Sequence, residues 1–437
     1  MNCRKTLTKI FQQALSSVQP RTLMRKTIRV EGGELWVGGR RYLLHEDGGI
    51  YVFGSGKASV GMAREAGRVL RGYLAGGFVV SNDRNPPLGN VGVYESSHPV
   101  PTEKSIRAAE ILTHRLSGLS EKDFFIYLLS GGSSALLEKP IPPIQLPDMQ
   151  KVTEMLLRHA VPIKEINIVR KHLSTVKGGR LGRLSPARGV VLVISDVIGD
   201  DLEAIGSAPL YRDRSSFADA CDILKRYDLW PRLPASVRKV LTRGLKGEIE
   251  DTPENENRRI DHRIIGSNSR LLAEAQQIAL SFGIRSRIMT SSLRGEAREV
   301  ARAIVAIGEE IIKTGHPFKG PIALIFGGET TVHVRGKGRG GRNQEMCLAA
   351  LKEIGPRKGM TFLSAGSDGV DGNSDAAGAV VDFTSFEKAK NLKLQIDDYL
   401  NNNDSHTFLK QTGDLIYTGP TGTNVMDMNI LYVGGGK

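Results

Sequence analysis

The residues best suited to chemistry lie in glycine-rich turns, and four of these crowd the C-terminal end of the chain. They read FGGETTVHVRGKGRGGRNQE from Phe326, SAGSDGVDGNSDAAGAVVD from Ser364, TGD from Thr412 and TGPTGTN from Thr418. The first two follow apolar, strand-like runs, IALIF and TFL. Glycine after a strand lets the backbone turn sharply and aim its N–H groups at an anion. Gly328 forms the first corner, and Glu329, Arg342, Asn343, Asp368, Thr421 and Asn424 are interleaved with the other glycines. An arginine offers a planar fork to phosphate or carboxylate. Together these residues suit a phosphate-handling enzyme better than a structural core.

Three further turns come earlier. GSGKAS, with Ser55, Gly56 and Lys57, joins an apolar strand to a helix. It is not a P-loop: the first glycine of that pattern would fall at Tyr51, and the Ser or Thr after the lysine is Ala58. A solvated lysine at a tight turn is the bland reading. A cation where the helix dipole disfavours one calls for an anionic partner, so a ligand role is preferred. SGGSSALL places Gly131, Gly132, Ser133 and Ser134 at a second strand-to-helix turn. There the hydroxyls either cap the helix or hold a phosphate or carboxylate, with equal weight. No G-x-S-x-G pattern is present, which argues against a serine nucleophile. In SDVIGDD, Asp196 closes a β-branched strand and is placed to hold Mg²⁺ or to accept a hydroxyl proton. Asp200 and Asp201 read as helix caps.

The remaining motifs are weaker. Asn268 in IIGSNSR heads a helix, where simple capping competes with anion binding. RGKGRGGR resembles an RNA-binding RGG segment, but its setting between a strand and a helix argues against a disordered one. SDGVDGNSDAAG spaces its acids like a Ca²⁺ loop without the EF-hand glycine and glutamate positions. A carboxylate-rich nucleotide or Mg²⁺ loop is the better reading.

Strand and helix alternate along the chain. YVFGSGKASVGMAREAGRVLRGYL, GGFVVSND, FFIYLLSGGSSALL and GVVLVISDVIGDD imply βαβ units, a mainly parallel sheet, and ligands at the carboxyl ends of strands. Two α/β domains follow: residues 1–245, whose opening helix is free to pack on the other lobe, and residues 263–437. The polar stretch 246–262 is the linker between them. The linker and NNND from Asn401 read as the least constrained stretches.

Composition bounds the answer. At 437 residues the chain is too long for one hydrophobic core. No run approaches the roughly 20 apolar residues of a membrane span. A net charge of +13 favours anionic ligands without choosing among them. The three cysteines are far apart, with neither metal-ligand nor disulfide spacing, so a reducing cytoplasm is expected. The acid-free N-terminus superficially resembles a transit peptide but reads better as an amphipathic helix packed on the body.

Taken in order, GSGKAS, SGGSSALL, SDVIGDD, GSN, GGETTV, GRGGRNQE, SAGSDGVDG, TGD and TGPTGTNVMD resemble the glycerate 2-kinase family, whose C-terminal part is the MOFRL domain. The resemblance spans essentially the whole chain, and none of these motifs departs from the family pattern. It implies a larger Rossmann-like domain, a smaller α/β domain and an active site in the cleft between them. The activity it implies is ATP-dependent phosphorylation of D-glycerate at the 2-hydroxyl, giving 2-phosphoglycerate, with Mg²⁺ or another divalent cation. The family's functional lysine and arginine match Lys57 and Arg342. On this reading those two cover the transferring phosphoryl group or the substrate carboxylate, and Asp196 is either base or metal ligand. Asp368 and Glu329 are metal or nucleotide contacts. D-Glycerate and ATP are then the partners, without nucleic acid or membrane, and a homodimer is left open. Two rivals fare worse. A hydroxypyruvate reductase would want G-x-G-x-x-G and a catalytic His, and Gly54, Gly56 and Gly61 miss that spacing. An RNA-binding protein would want aromatics in its basic loop, which has none.

Overall fold

The computed structural model describes residues 2–434. The chain forms two compact units: Leu23–Ser195 with Asp200–Ile265, and Met1–Thr22 with Asp196–Gly199 and Gly266–Lys437.

The first unit opens with a small antiparallel sheet of β1 (Ile28–Glu31), β2 (Glu34–Val37) and β3 (Arg40–Tyr42). Its hairpins turn on Gly32–Gly33 and Gly38–Gly39, all four with positive φ, the conformation a two-residue hairpin turn demands. A six-stranded sheet follows, built from β4 (Ile50–Ser55), β5 (Leu74–Ser81), β6 (Val91–Glu95), β7 (Phe124–Leu129), β8 (Arg188–Ile194) and β9 (Ile260–Gly266) in the order β6-β5-β4-β7-β8-β9. The pairings from β6 through to β8 are parallel. β7 is buried at every residue and β8 at all but its first, as continuous apolar runs covered on both faces must be. Part of the stretch read as a linker is therefore structural. Its last residues begin β9, and the chain passes to the second unit at Gly266.

The second unit carries a mixed sheet of β10 (Ser286–Leu293), β11 (Ile322–Gly328), β12 (Met360–Gly366), β13 (Gly378–Asp382), β14 (Leu415–Ile416) and β15 (Asp427–Val433), ordered β10-β11-β15-β12-β13-β14. Only β10 and β11 pair in parallel. β15 runs antiparallel to both of its neighbours, β11 and β12. Helix Arg342–Ile354 covers the sheet with Met346, Cys347 and Leu351, packing with Phe362, Val381 and Leu431 in one buried cluster. The opening helix, Cys3–Ser17, buries Leu7, Ile10, Phe11 and Ala14 in this unit. Its Arg4 reaches both Asp382 and the fully buried carboxylate of Asp414. Among the described residues no helix is long and apolar enough to cross a membrane.

Candidate active site

In the first unit, GSGKAS leaves the end of β4 and SGGSS the end of β7, and Ser55 lies in register with Leu129. The two turns are sewn together. Lys57 N–H donates to Gly131 O (2.9 Å), and Ala58 N–H to Ser130 Oγ (3.0 Å). Gly56 has φ +131°, and a Cβ there would stand 2.2 Å from Ser130 Oγ, so only glycine fits. Gly132 has φ +85°, and its missing Cβ leaves room for His98 and the Lys57 stem. The hydroxyls of Ser55, Ser133 and Ser134 bond to other hydroxyls of the fold. Ser55 and Ser133 bond each other (2.5 Å), Ser55 also bonds Tyr127 Oη (2.7 Å), and Ser134 bonds Ser207 (2.7 Å). What this corner offers outward is the exposed Lys57 side chain beside His98. The His98 imidazole is held below its ordinary value by burial first and by the Lys57 charge second.

Beneath this corner lies a buried charge cluster that the sequence reading passed over. The Lys177 ammonium donates to Ser134 O (2.9 Å) and Leu137 O (2.8 Å) and pairs with Glu138 at 2.8 Å. Arg170 donates to the same Ser134 carbonyl (3.1 Å). Burial pulls Lys177 down to about 8, against the opposing pull of Glu138. Ser134 is thus held by two cations on its carbonyl and by Ser207 on its hydroxyl.

In the second unit the antiparallel strand β15 decides the geometry. Its first residue, Asp427, stands in register between Gly328 at the end of β11 and Gly366 at the end of β12. With no side chains on either flank, its carboxylate is open to the loops above. Arg342 takes it in a two-point grip, Nε to Oδ2 at 2.6 Å and Nη2 to Oδ1 at 3.0 Å, while Nη1 reaches Glu329 Oε1 at 3.0 Å. Burial would pull the guanidinium down, but Asp427, then Glu329 and Asp371, hold it firmly protonated. Desolvation pushes the Glu329 carboxyl above its ordinary value; Arg342 opposes this, and the charges of Asp427, Asp196 and Asp368 add to it. Asp196, Glu329, Arg342 and Asp368, all expected site residues, therefore share one electrostatic neighbourhood with Asp427. Asp427 went unread because it follows a loop and precedes its strand, the reverse of a strand-end acid in a parallel sheet.

The other expected residues support this cluster. Asn343 is buried; its N–H and amide bond Asp371 (3.1 Å each) while its Oδ1 accepts from Ser364 (2.7 Å). Asp371, read from the sequence as one acid of a nucleotide or Mg²⁺ loop, accepts from Gln344 N–H (2.9 Å) and so caps helix Arg342–Ile354, whose own N-cap, Gly341, has no side chain to do it. Burial raises Asp371 to about 6. Buried Asn268 donates to the carbonyls of Val425 (2.8 Å) and Asp427 (2.9 Å), fixing the start of β15. Thr421 donates its hydroxyl to Ser367 O (2.6 Å) and its N–H to Asp368 O (3.1 Å), and Asn424 accepts from Met426 N–H (2.9 Å). The TGPTGTN loop is thereby stapled to the SDG loop.

A cavity of about 560 Å³ opens over Glu329, Thr331, Gly340, Gly341, Arg342 and Asn373. Its wall holds one cation, Arg342, among four glycines, Gly338, Gly340, Gly341 and Gly372, whose bare backbone suits close approach of an anion. Among the described residues no three His, Cys, Asp or Glu side chains form a ready-made metal cage. A Cβ on Gly366, however, would stand 3.0 Å from Asp368 Oδ1 and 3.3 Å from Asp427 Oδ1. Two carboxylates over a bare glycine are the hard-oxygen donors Mg²⁺ takes when substrate phosphates and water complete its shell. The donor set fits such an ion.

Comparison with known proteins supplies the class. Residues 6–242 match the family model described as Domain of unknown function (DUF4147), and residues 322–427 match that of the MOFRL family. A glycerate 2-kinase of Pyrococcus horikoshii is 38% identical over 434 residues, covering 99% of this chain and 98% of its own. A D-glycerate 2-kinase of Thermotoga maritima is 42% identical, over 87% of this chain and 90% of its own. The crystal structure of a glycerate kinase from Thermotoga maritima superposes with a TM-score of 0.88 at 36% identity, over 99% of each chain. The chain belongs to the glycerate 2-kinase family.

Proposed function

We propose that this protein transfers the γ-phosphoryl group of ATP to the 2-hydroxyl of D-glycerate. The observation that carries the reading is similarity to glycerate 2-kinases along the whole chain. The geometry agrees with it in kind. Phosphoryl transfer needs positioning and neutralisation of spread negative charge more than covalent help. Lys57 offers an exposed ammonium on a rigid corner, and Arg342 a guanidinium locked in orientation by Asp427. We assign both to the phosphoryl oxygens or the substrate carboxylate. Asp196 and Glu329 are the carboxylates we assign to orienting the 2-hydroxyl and receiving its proton. The raised Glu329 suits the second task, since a base must hold the proton it accepts. Asp368 and Asp427 would hold Mg²⁺, whose contribution when bound is to neutralise phosphate charge. Gly340 and Gly341 expose backbone to the polyphosphate, and Thr421 keeps the Asp368 loop in place.

The test is direct. Incubation with D-glycerate, ATP and Mg²⁺, followed by ³¹P NMR, should show 2-phosphoglycerate and ADP. Appearance of 3-phosphoglycerate would overturn the regiochemistry. NADH oxidation with hydroxypyruvate, and no ADP from glycerate, would overturn the reading.

A further inference from the structure

The basic loop Arg335–Gly341 is glycine-rich, which suggests mobility, yet every backbone N–H from Arg335 to Arg339 is hydrogen-bonded. The holder is the NNND stretch. Asn403 Oδ1 accepts from the N–H groups of Arg335 (2.7 Å) and Gly336 (2.9 Å). Asn402 Oδ1 accepts from Lys337 N–H (3.1 Å), and its carbonyl from Gly338 N–H (2.9 Å). Asp404 Oδ1 accepts from Arg339 N–H (2.9 Å), and Arg339 O accepts from His406 N–H (2.9 Å). The glycines are there for closeness. A Cβ on Gly336 would stand 2.2 Å from Asn402 O, on Gly338 2.4 Å from Asp404 Cβ, and on Gly340 2.3 Å from Ser405 Oγ.

Asn403 does one thing more. Its Nδ2 donates to Glu345 Oε2 (2.9 Å) and His333 O (3.3 Å). Glu345 lies on the helix that begins with Arg342, is buried, and is itself gripped by Arg298 Nε (2.6 Å). One amide therefore ties the beginning of the loop to the helix just past its end. Both donors and both acceptor positions of that amide are spent, so Asn403 has nothing left for a ligand, although it lines the cavity. Its backbone sits at φ +51°, which glycine and asparagine adopt at less cost than alanine.

We propose that Asn403, seconded by Asn402 and Asp404, is a positioning residue that pre-shapes the Arg335–Gly341 loop as the polyphosphate wall of the Glu329–Arg342 cavity. The proposal rests on the kinase reading above for its substrate and on the hydrogen bonds alone for the clamp. Two variants separate the parts. Asn403→Gly keeps the backbone conformation and deletes the amide. Asn403→Asp keeps the acceptor but sets a second carboxylate against Glu345. Ile354→Val, a small core change in the helix that carries Arg342, serves as a control for general destabilisation.

Arg335, Lys337 and Arg339 make the loop a trypsin target. In the wild type it should resist cleavage; in Asn403→Gly it should be cut about tenfold faster or more, and in Ile354→Val at nearly the wild-type rate. With the wall no longer preorganised, KM for ATP should rise about tenfold, and KM for D-glycerate should change less than about twofold. Asn403→Asp carries the same readouts if the glycine variant fails to fold. Unchanged cleavage in both variants overturns the clamp, and faster cleavage with an unchanged KM for ATP overturns its role. The digestion needs no turnover. If the protein does not phosphorylate glycerate but ADP still shields the wild-type loop and not the Asn403→Gly loop, the proposed function falls and the clamp stands.

Discussion

The two units build their polar corners by opposite means. In the parallel sheet, the GSGKAS and SGGSS turns are strand–turn–helix units whose important residues are neighbours in sequence, and the two adjacent turns complete each other with backbone and hydroxyl hydrogen bonds. In the mixed sheet, the cluster around Arg342 is assembled from β11, the basic loop, β12 and the first residue of a strand running the other way. The first kind of corner is rigid because it is local. The second is rigid because charge is matched across distant segments, so its parts should be less separable when mutated.

The largest test lies below the first corner. Replacing Lys177 by Met leaves buried Glu138 with only the more distant Arg170, 4.0 Å away, at a cost of about 3 kcal/mol in denaturant unfolding. Lys177 sits at about 8 in the fold against an ordinary 10.5. Between those values the unfolded chain binds more protons, so wild-type stability from this group rises with pH through that window, and the variant should lose the rise.

Next come the two cations. Lys57→Ala and Arg342→Ala should each lower kcat/KM by about a hundredfold or more, some 3 kcal/mol of transition-state stabilisation. They should part company in thermal unfolding. Lys57 is exposed, so its loss should leave Tm unchanged, whereas losing Arg342 strands buried Asp427 and should cost about 1–3 kcal/mol. Equal melting behaviour would remove the contrast between local and assembled corners.

A subtler effect concerns Glu329. Its folded pKa is raised, so the stability it contributes is present below the ordinary 4.5 and is lost as pH climbs through the raised value. Glu329→Gln should therefore raise Tm more at neutral pH than near about pH 4. It should also erase an acid limb in the kcat/KM profile; an unaltered limb would point to Asp196 instead. Smallest of all, Gly366→Ala crowds Asp368 and Asp427 without backbone strain, and we expect only a few-fold rise in the Mg²⁺ needed for activity.

This contrast also explains what could be read in advance. The strands β4, β7 and β8 announce themselves as unbroken apolar runs, and the glycine corners behind β4 and β7 follow from chain order. Arg342, Glu329 and Asp368 were legible as residue types in glycine-rich surroundings. Asp427 was not, because its role comes from register: antiparallel pairing sets it between two glycines that lie far away in sequence. Asp371 was legible as an acid of its loop, but its capping role was not, because the helix it caps lies elsewhere in the sequence. The NNND stretch looked unconstrained because its asparagines bond a backbone some 65 residues earlier, and short polar side chains carry no periodic signal of such a partner. The hairpins β1–β3 did have a signal, the paired glycines, masked by the brevity of the strands.

The opening helix has a consequence for how the chain comes into being. Leu7, Ile10 and Phe11 are made long before Asp382 and Asp414, the acidic partners of Arg4. At roughly 5–20 residues per second this greasy segment waits some 20–80 seconds for its berth. Arg4, Lys5 and Lys9 and the lack of acids would keep it soluble, or hand it to a chaperone, through that delay. Deleting this helix would then be felt first in the unit to which Asp382 and Asp414 belong, most of which is translated well after it.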